Sequence, residues 1–161
     1  MQDQEQVKIL SYEDRFAADF ARLNREWLEG FNLFEEADAK HLDAPREAII
    51  DTGGEIFFAV AGERVVGACA ILRVNSAVVE LAKLAVAPDA QGRGIGRRLT
   101  LAAIAHAGAM GAERVVLVSN SKLTSAIRLY ESLGFRHAPL PANTGYVTVD
   151  VYMELSLTSI V

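Results

Sequence analysis

The chain lacks most of the features that would assign it to an unusual class of protein. It has one cysteine in 161 residues, Cys69, so no internal disulfide is available and a reducing compartment is the expectation. Cys69 stands in the apolar run GACAIL, where a small buried side chain is expected rather than a reactive thiol. No apolar run reaches the length needed to span a bilayer. The start, MQDQEQVKIL, lacks the basic-then-apolar layout of a secretory signal, so a cytoplasmic protein is expected. Basic charge is also scarce, with 16 lysines and arginines against 21 aspartates and glutamates and a formal charge of -5. That balance argues against a general nucleic-acid binder, which must neutralise phosphates. Histidines 41, 106 and 137 have no metal-ligand spacing, so no metal is expected. No GxSxG sequence supports a serine hydrolase, and no Gly-Lys-Ser/Thr tripeptide supports a Walker loop.

What is present is an ordinary globular composition, 51% hydrophobic and 23% charged. At this length a chain buries roughly 70% of its unfolded surface, enough for one core. No linker or repeat divides it, and a single domain over 1–161 is expected. Val7 to Leu10 reads as a strand, and Ser11 with Asp14 as a capping box for a helix. Phe16, Phe20, Leu23 and Trp27 then recur on one helical face, as core contacts or with an aromatic turned toward a substrate. Residues 29 to 52 are less regular. They hold the acidic cluster Glu29, Glu35, Glu36 and Asp38, read as a solvated face, and a short helix between Pro45 and Gly53. From Glu55 three alternating segments, EIFFAVAG, RVVGACAILRV and AVVELAKLAV, separated by turns, predict an antiparallel meander. A helix closing at Gly111, a strand from Arg114 to Val118, a helix from Thr124 to Leu133 and a final strand in YVTVDVYMEL follow. The fold class is therefore α/β (α+β), a mixed, mostly antiparallel twisted sheet with helices on both faces.

One loop carries chemistry. Gln91-Gly92-Arg93-Gly94-Ile95-Gly96 stands between a strand and a helix, where unpaired amides and the helix dipole make an anion site. Glycines let a phosphate approach the backbone. Arg93, Arg97 and Arg98 add positive charge around it. A dinucleotide fingerprint fails here, because the third glycine of GxGxxG would fall on Arg97.

The loop and its surroundings, LAVAPDAQGRGIGRRL at 84–99, resemble the QxxGxG signature of the GNAT superfamily of N-acetyltransferases. AIRLYESLGF at 126–135 resembles the same family's second signature, a helix ending in LYxxxGF. The resemblance implies the acyl-CoA N-acyltransferase fold and acetyl-CoA as acyl donor. It further implies that the backbone of Leu84, Ala85 and Val86 pairs with the pantetheine arm. Amides from Gln91, Gly92, Arg93, Gly94, Ile95, Gly96 and Arg97 would bind the pyrophosphate, and Tyr130 would lie near the thioester sulfur. One departure is Leu123, which stands where relatives often carry an asparagine; Asn120 is the nearest substitute, as a cofactor ligand or as a cap for the following residues.

Acetyl transfer to an amine needs a proton acceptor, since fewer than about one alkyl ammonium in a thousand is deprotonated at pH 7. Glu80 is a carboxylate within an otherwise mostly apolar strand, six positions before Val86 as in the histone-acetylating branch of the family. It is read as the general base, or alternatively as a partner for Lys83. The expected activity is transfer of acetyl to a primary amine of a small molecule or peptide, without nucleic acid or membrane and with a homodimer compatible. Rival readings are a noncatalytic acyl-CoA-binding domain on the same fold and an interaction module with a purely structural loop. The acceptor groove is expected at residues 27–42 and 139–146, where the acidic cluster points to a cationic acceptor.

Overall fold

A computed structural model of the protein describes residues 6–158. The polar start read above as unlike a signal peptide lies partly outside them. Among the described residues seven strands form one sheet: β1 (Val7–Ser11), β2 (Glu55–Ala61), β3 (Arg64–Arg73), β4 (Val78–Val86), β5 (Arg114–Ser119), β6 (Arg136–His137) and β7 (Val151–Ser156). Their spatial order is β1-β2-β3-β4-β5-β7-β6, and every neighbouring pair is antiparallel except β4 and β5. The helices are α1 (Ala17–Gly30), α2 (Glu36–Asp43), α3 (Ile95–Ala109) and α4 (Thr124–Ser132).

Alternation along β2 places helices on both faces, as expected. Phe58 packs against Phe16 and Phe20 of the α1 side, while its neighbour Phe57 meets His106 of α3. Period-two geometry sends adjacent side chains to opposite faces. On the α3 side the helix packs close over Gly67 of β3, where a Cβ would lie 2.9 Å from Leu99 and 3.2 Å from Ile95. Cys69 is fully buried in the same strand, as its apolar surroundings predict.

The meander forms with the expected turns, but three local expectations need correction. Ser11 does not cap a helix, because its backbone continues the β1 ladder opposite Phe57; the chain turns instead through a short 3-10 segment, Asp14–Phe16. The segment after Pro45 is a π-turn, Arg46–Ile50, and a separate helix, α2, precedes it with Glu35 and Asp38 as its capping box. Of YVTVDVYMEL only the part from Val151 is strand. Residues 146–148 are held elsewhere by side chains.

Candidate active site

Beyond Glu80 the sheet opens. β4 and β5 run parallel and paired only at Val78, Val79 and Glu80, opposite Arg114, Val115 and Val116, while β5 continues its ladder with β7 to Ser119. The stretch of β4 from Leu81 to Val86 thus lacks a strand neighbour on that edge. A bulge lies within it. Ala68 pairs with Ala85 and Ala70 with Ala82, so the single residue Cys69 faces both Lys83 and Leu84, and Lys83 takes a left-handed φ of 57°. The divergence leaves a groove lined by Leu81 to Leu84 on one side and Val118 to Asn120 on the other.

At the outer end of β4 the glycine loop leads into α3. Gly92 and Gly94 have φ of 78° and 75°, and a Cβ at either would meet no protein atom within 4 Å. These positions need glycine for backbone conformation, and their outer surface is open. Gly94 caps α3 with no side chain bonded to the first turn, which contains no acidic residue. The first α3 amides are thus left to bind an external anion. A second cleft joins this helix start to Leu84, Ala85 and Val86, with Trp27 and Ala126 along its walls. The loop is tied down by a two-bond Arg64–Asp89 pair at 2.7 Å and by Gln91, whose amide nitrogen donates to the Val86 carbonyl at 3.2 Å. Arg97 reaches Ser132 of α4 at 3.3 Å, and Arg93 stays exposed.

Glu80 and Tyr130 line the same groove. Burial pushes the Glu80 carboxyl above the ordinary carboxylate range, against the opposing pull of Lys83. Burial likewise raises the Tyr130 phenol well above its ordinary value. Its ring packs on Phe135 at 5.7 Å, and its hydroxyl has no hydrogen-bond partner among the described residues. Such a pair offers a carboxylate with a raised affinity for a proton and a phenol that keeps its own. Asn120 is more constrained than the sequence suggests. Its carbonyl oxygen accepts from the Lys122 amide at 2.9 Å and its amide nitrogen donates to the Thr148 carbonyl, so both ends of the side chain hold the chain's own backbone.

The acidic cluster is a solvated face only at Glu29 and Glu36, which are exposed. Asp38 is buried and receives a hydrogen bond from Lys83, whose ammonium also donates to the Tyr146 hydroxyl at 3.0 Å. Burial alone would lower the Lys83 pKa, but Tyr146 and Asp38 outweigh it and the net direction is upward. Glu35 accepts hydrogen bonds from the Val147 and Thr148 amides at 2.9 Å each and from the Thr148 hydroxyl. Lys83 therefore pairs with Asp38 rather than with Glu80. Sequence reasoning missed Asp38, Lys83 and Tyr146 because their contacts join positions 45 and 63 residues apart. The signal it had was a lysine inside an apolar strand, which must find a counter-charge once buried.

Among the described residues no group of histidine, cysteine, aspartate and glutamate side chains could hold a metal ion, and no helix is long and apolar enough to cross a membrane. Residues 19–135 match the model of the acetyltransferase (GNAT) family. The chain is 46% identical to a mycothiol acetyltransferase of Thermobispora bispora over 56 residues, which are 35% of this chain and 19% of that protein; the match thus spans about a fifth of that relative's length. In structure it resembles a GNAT-family acetyltransferase of Staphylococcus aureus, with a TM-score of 0.86 at 18% identity over 95% of this chain and all of the other. It also resembles YncA of Salmonella typhimurium, a putative acetyltransferase with its cofactor acetyl-CoA, with a TM-score of 0.75 at 22% identity, covering 96% and 95% of the two chains. With a family match over well over half of its residues, together with a parallel strand pair that parts above a glycine-capped helix, the chain belongs to the acetyltransferase (GNAT) family.

Proposed function

We propose that the protein is an acetyl-CoA-dependent N-acetyltransferase that moves acetyl directly to a primary amine of a small molecule or peptide. The observation that carries this reading is the groove itself. An unpaired strand edge, a helix start with free amides, a carboxylate and an unbonded phenol line two clefts that share Trp27 and Leu84. Strand edge and helix start suit two parts of acetyl-CoA in order. The edge from Leu84 to Val86 would take the amide-bearing arm and the amides following Gly92 and Gly94 the pyrophosphate. Acetyl-CoA supplies an activated acyl group as a thioester.

In the transfer, the amine nitrogen forms a bond to the thioester carbon and the carbon–sulfur bond breaks. Glu80 accepts the proton that the amine loses, directly or through water. A backbone amide near Val86 meets the developing oxyanion. Tyr130, whose phenol stays protonated, donates to the departing thiolate.

The test is thiol release from acetyl-CoA across an amine panel, followed as a function of pH in wild type and Glu80→Gln. Wild-type turnover should rise with pH as Glu80 loses its proton, at a value displaced upward from the ordinary carboxylate pKa of about 4.3. The variant should lose rate near neutrality and regain it as pH approaches the amine's own pKa. Identical profiles under chemistry-limited conditions remove Glu80 as the base.

A further inference from the structure

Tyr146 is held in an unusual way. It lies in an irregular segment after Gly145, whose φ is 81°, yet its hydroxyl is joined to the buried ammonium of Lys83 at 3.0 Å and its ring lies 5.0 Å from the same nitrogen. An ammonium has only donors, so in this bond the phenol oxygen is the acceptor. Its own hydrogen is consequently turned away from Lys83. Nothing among the described residues accepts it, and Tyr146 lines the same groove as Glu80.

The neighbouring polar groups narrow what that hydrogen can meet. Asp38, Asn120 and Thr148 commit their side chains to protein partners. Lys83 is matched by Asp38 in a pair whose side chains are 8% and 4% exposed, leaving Glu80 as the groove's unmatched charge. A second carboxylate brought in beside a reacting amine would lie against Glu80 and be repelled. An uncharged oxygen would not. We infer that the Tyr146 hydroxyl orients the acceptor by donating to a neutral oxygen that the acceptor carries, an amide carbonyl or a hydroxyl. The acceptor class is then amino amides or amino alcohols, not free amino acids. Lys83 and Asp38 are positioning residues that fix the direction of the phenol.

The inference rests on the acetyl-transfer reading of the groove, and the experiment separates the two. Thiol release is measured with alaninamide, 2-aminopropanol, alanine and isopropylamine in wild type and Tyr146→Phe. Calorimetric binding of each amine to the protein loaded with CoA is measured in parallel. Wild type should favour alaninamide or the amino alcohol over alanine. The variant should raise the KM of the favoured acceptor about ten- to hundredfold, the range for one lost hydrogen bond with its partner left unpaired, with kcat and the isopropylamine KM little changed. Calorimetry should show the same Tyr146-dependent gap. Equal losses for the favoured acceptor and isopropylamine, or alanine bound as well as its amide, would overturn the inference; the latter comparison needs only wild-type protein. Thiol release from none of the amines would overturn acetyl transfer instead, while the calorimetric comparison still decides Tyr146.

Discussion

Two walls of the site are built from different materials. The wall formed by β4 and the start of α3 works through the backbone, with a strand edge left unpaired beyond Glu80, left-handed glycines at 92 and 94 and a helix start without a side-chain cap. The wall formed by α2 and residues 146–149 works through side chains. There Glu35 and Asp38, one turn apart, reach Val147, Thr148 and Lys83, and Lys83 reaches Tyr146. Backbone chemistry is shared by every sequence that can adopt the geometry, so the first wall suits a constant ligand. Side-chain clamps are particular to this chain and suit a variable one.

The largest effect expected from this contrast falls on the side-chain wall. Asp38→Ala leaves the Lys83 ammonium buried without its counter-charge and should lower unfolding free energy by about 3–5 kcal/mol, as read by denaturant titration. Asp38→Leu with Lys83→Met should recover most of that loss, since it removes both charges. A double variant as unstable as the single one would mean that Asp38 acts through something other than charge. Because the folded Lys83 pKa lies above its ordinary value, the pair's contribution is in place below about pH 10.4 and fades as pH rises through the folded value.

A smaller effect is expected from Glu35→Ala, which frees a partly exposed backbone segment. About 1 kcal/mol is expected, discounted for solvent access. Hydrogen exchange should report the loss locally as faster exchange of the Val147 and Thr148 amides, with α3 amides unchanged. Unaltered exchange at 147 and 148 would show that Glu35 does not hold this wall.

The contrast also explains what was legible in the sequence. QGRGIG announced a backbone site, because glycine at a strand-to-helix junction has a local conformational meaning. The paired signatures then located the family. Alternation gave the meander, and the Phe16, Phe20, Leu23 and Trp27 stripe gave the inner face of the 3-10 turn and α1, except that Trp27 lines the clefts. The opposite wall was misread. Glu35 and Asp38 appear in sequence as members of a solvated acidic run, since nothing local records that their partners lie 112 and 45 residues away. VTVDV satisfies the alternation of a strand, yet two of its amides bond the Glu35 carboxylate instead of a neighbouring strand. Non-local side-chain bonds override local pattern there.

The central claim is that the donor's site is made by backbone and stands apart from the acceptor wall. Calorimetric titration of acetyl-CoA into wild type, Gly94→Ala and Tyr146→Phe tests it most directly. Alanine at φ 75° costs about 1–2 kcal/mol of strain and sets a methyl on the open surface of the loop without striking protein. The folded Gly94→Ala protein should therefore lose most of its acetyl-CoA affinity, while Tyr146→Phe binds as wild type does. Undiminished binding by Gly94→Ala, or an equal loss in both variants, would contradict the account.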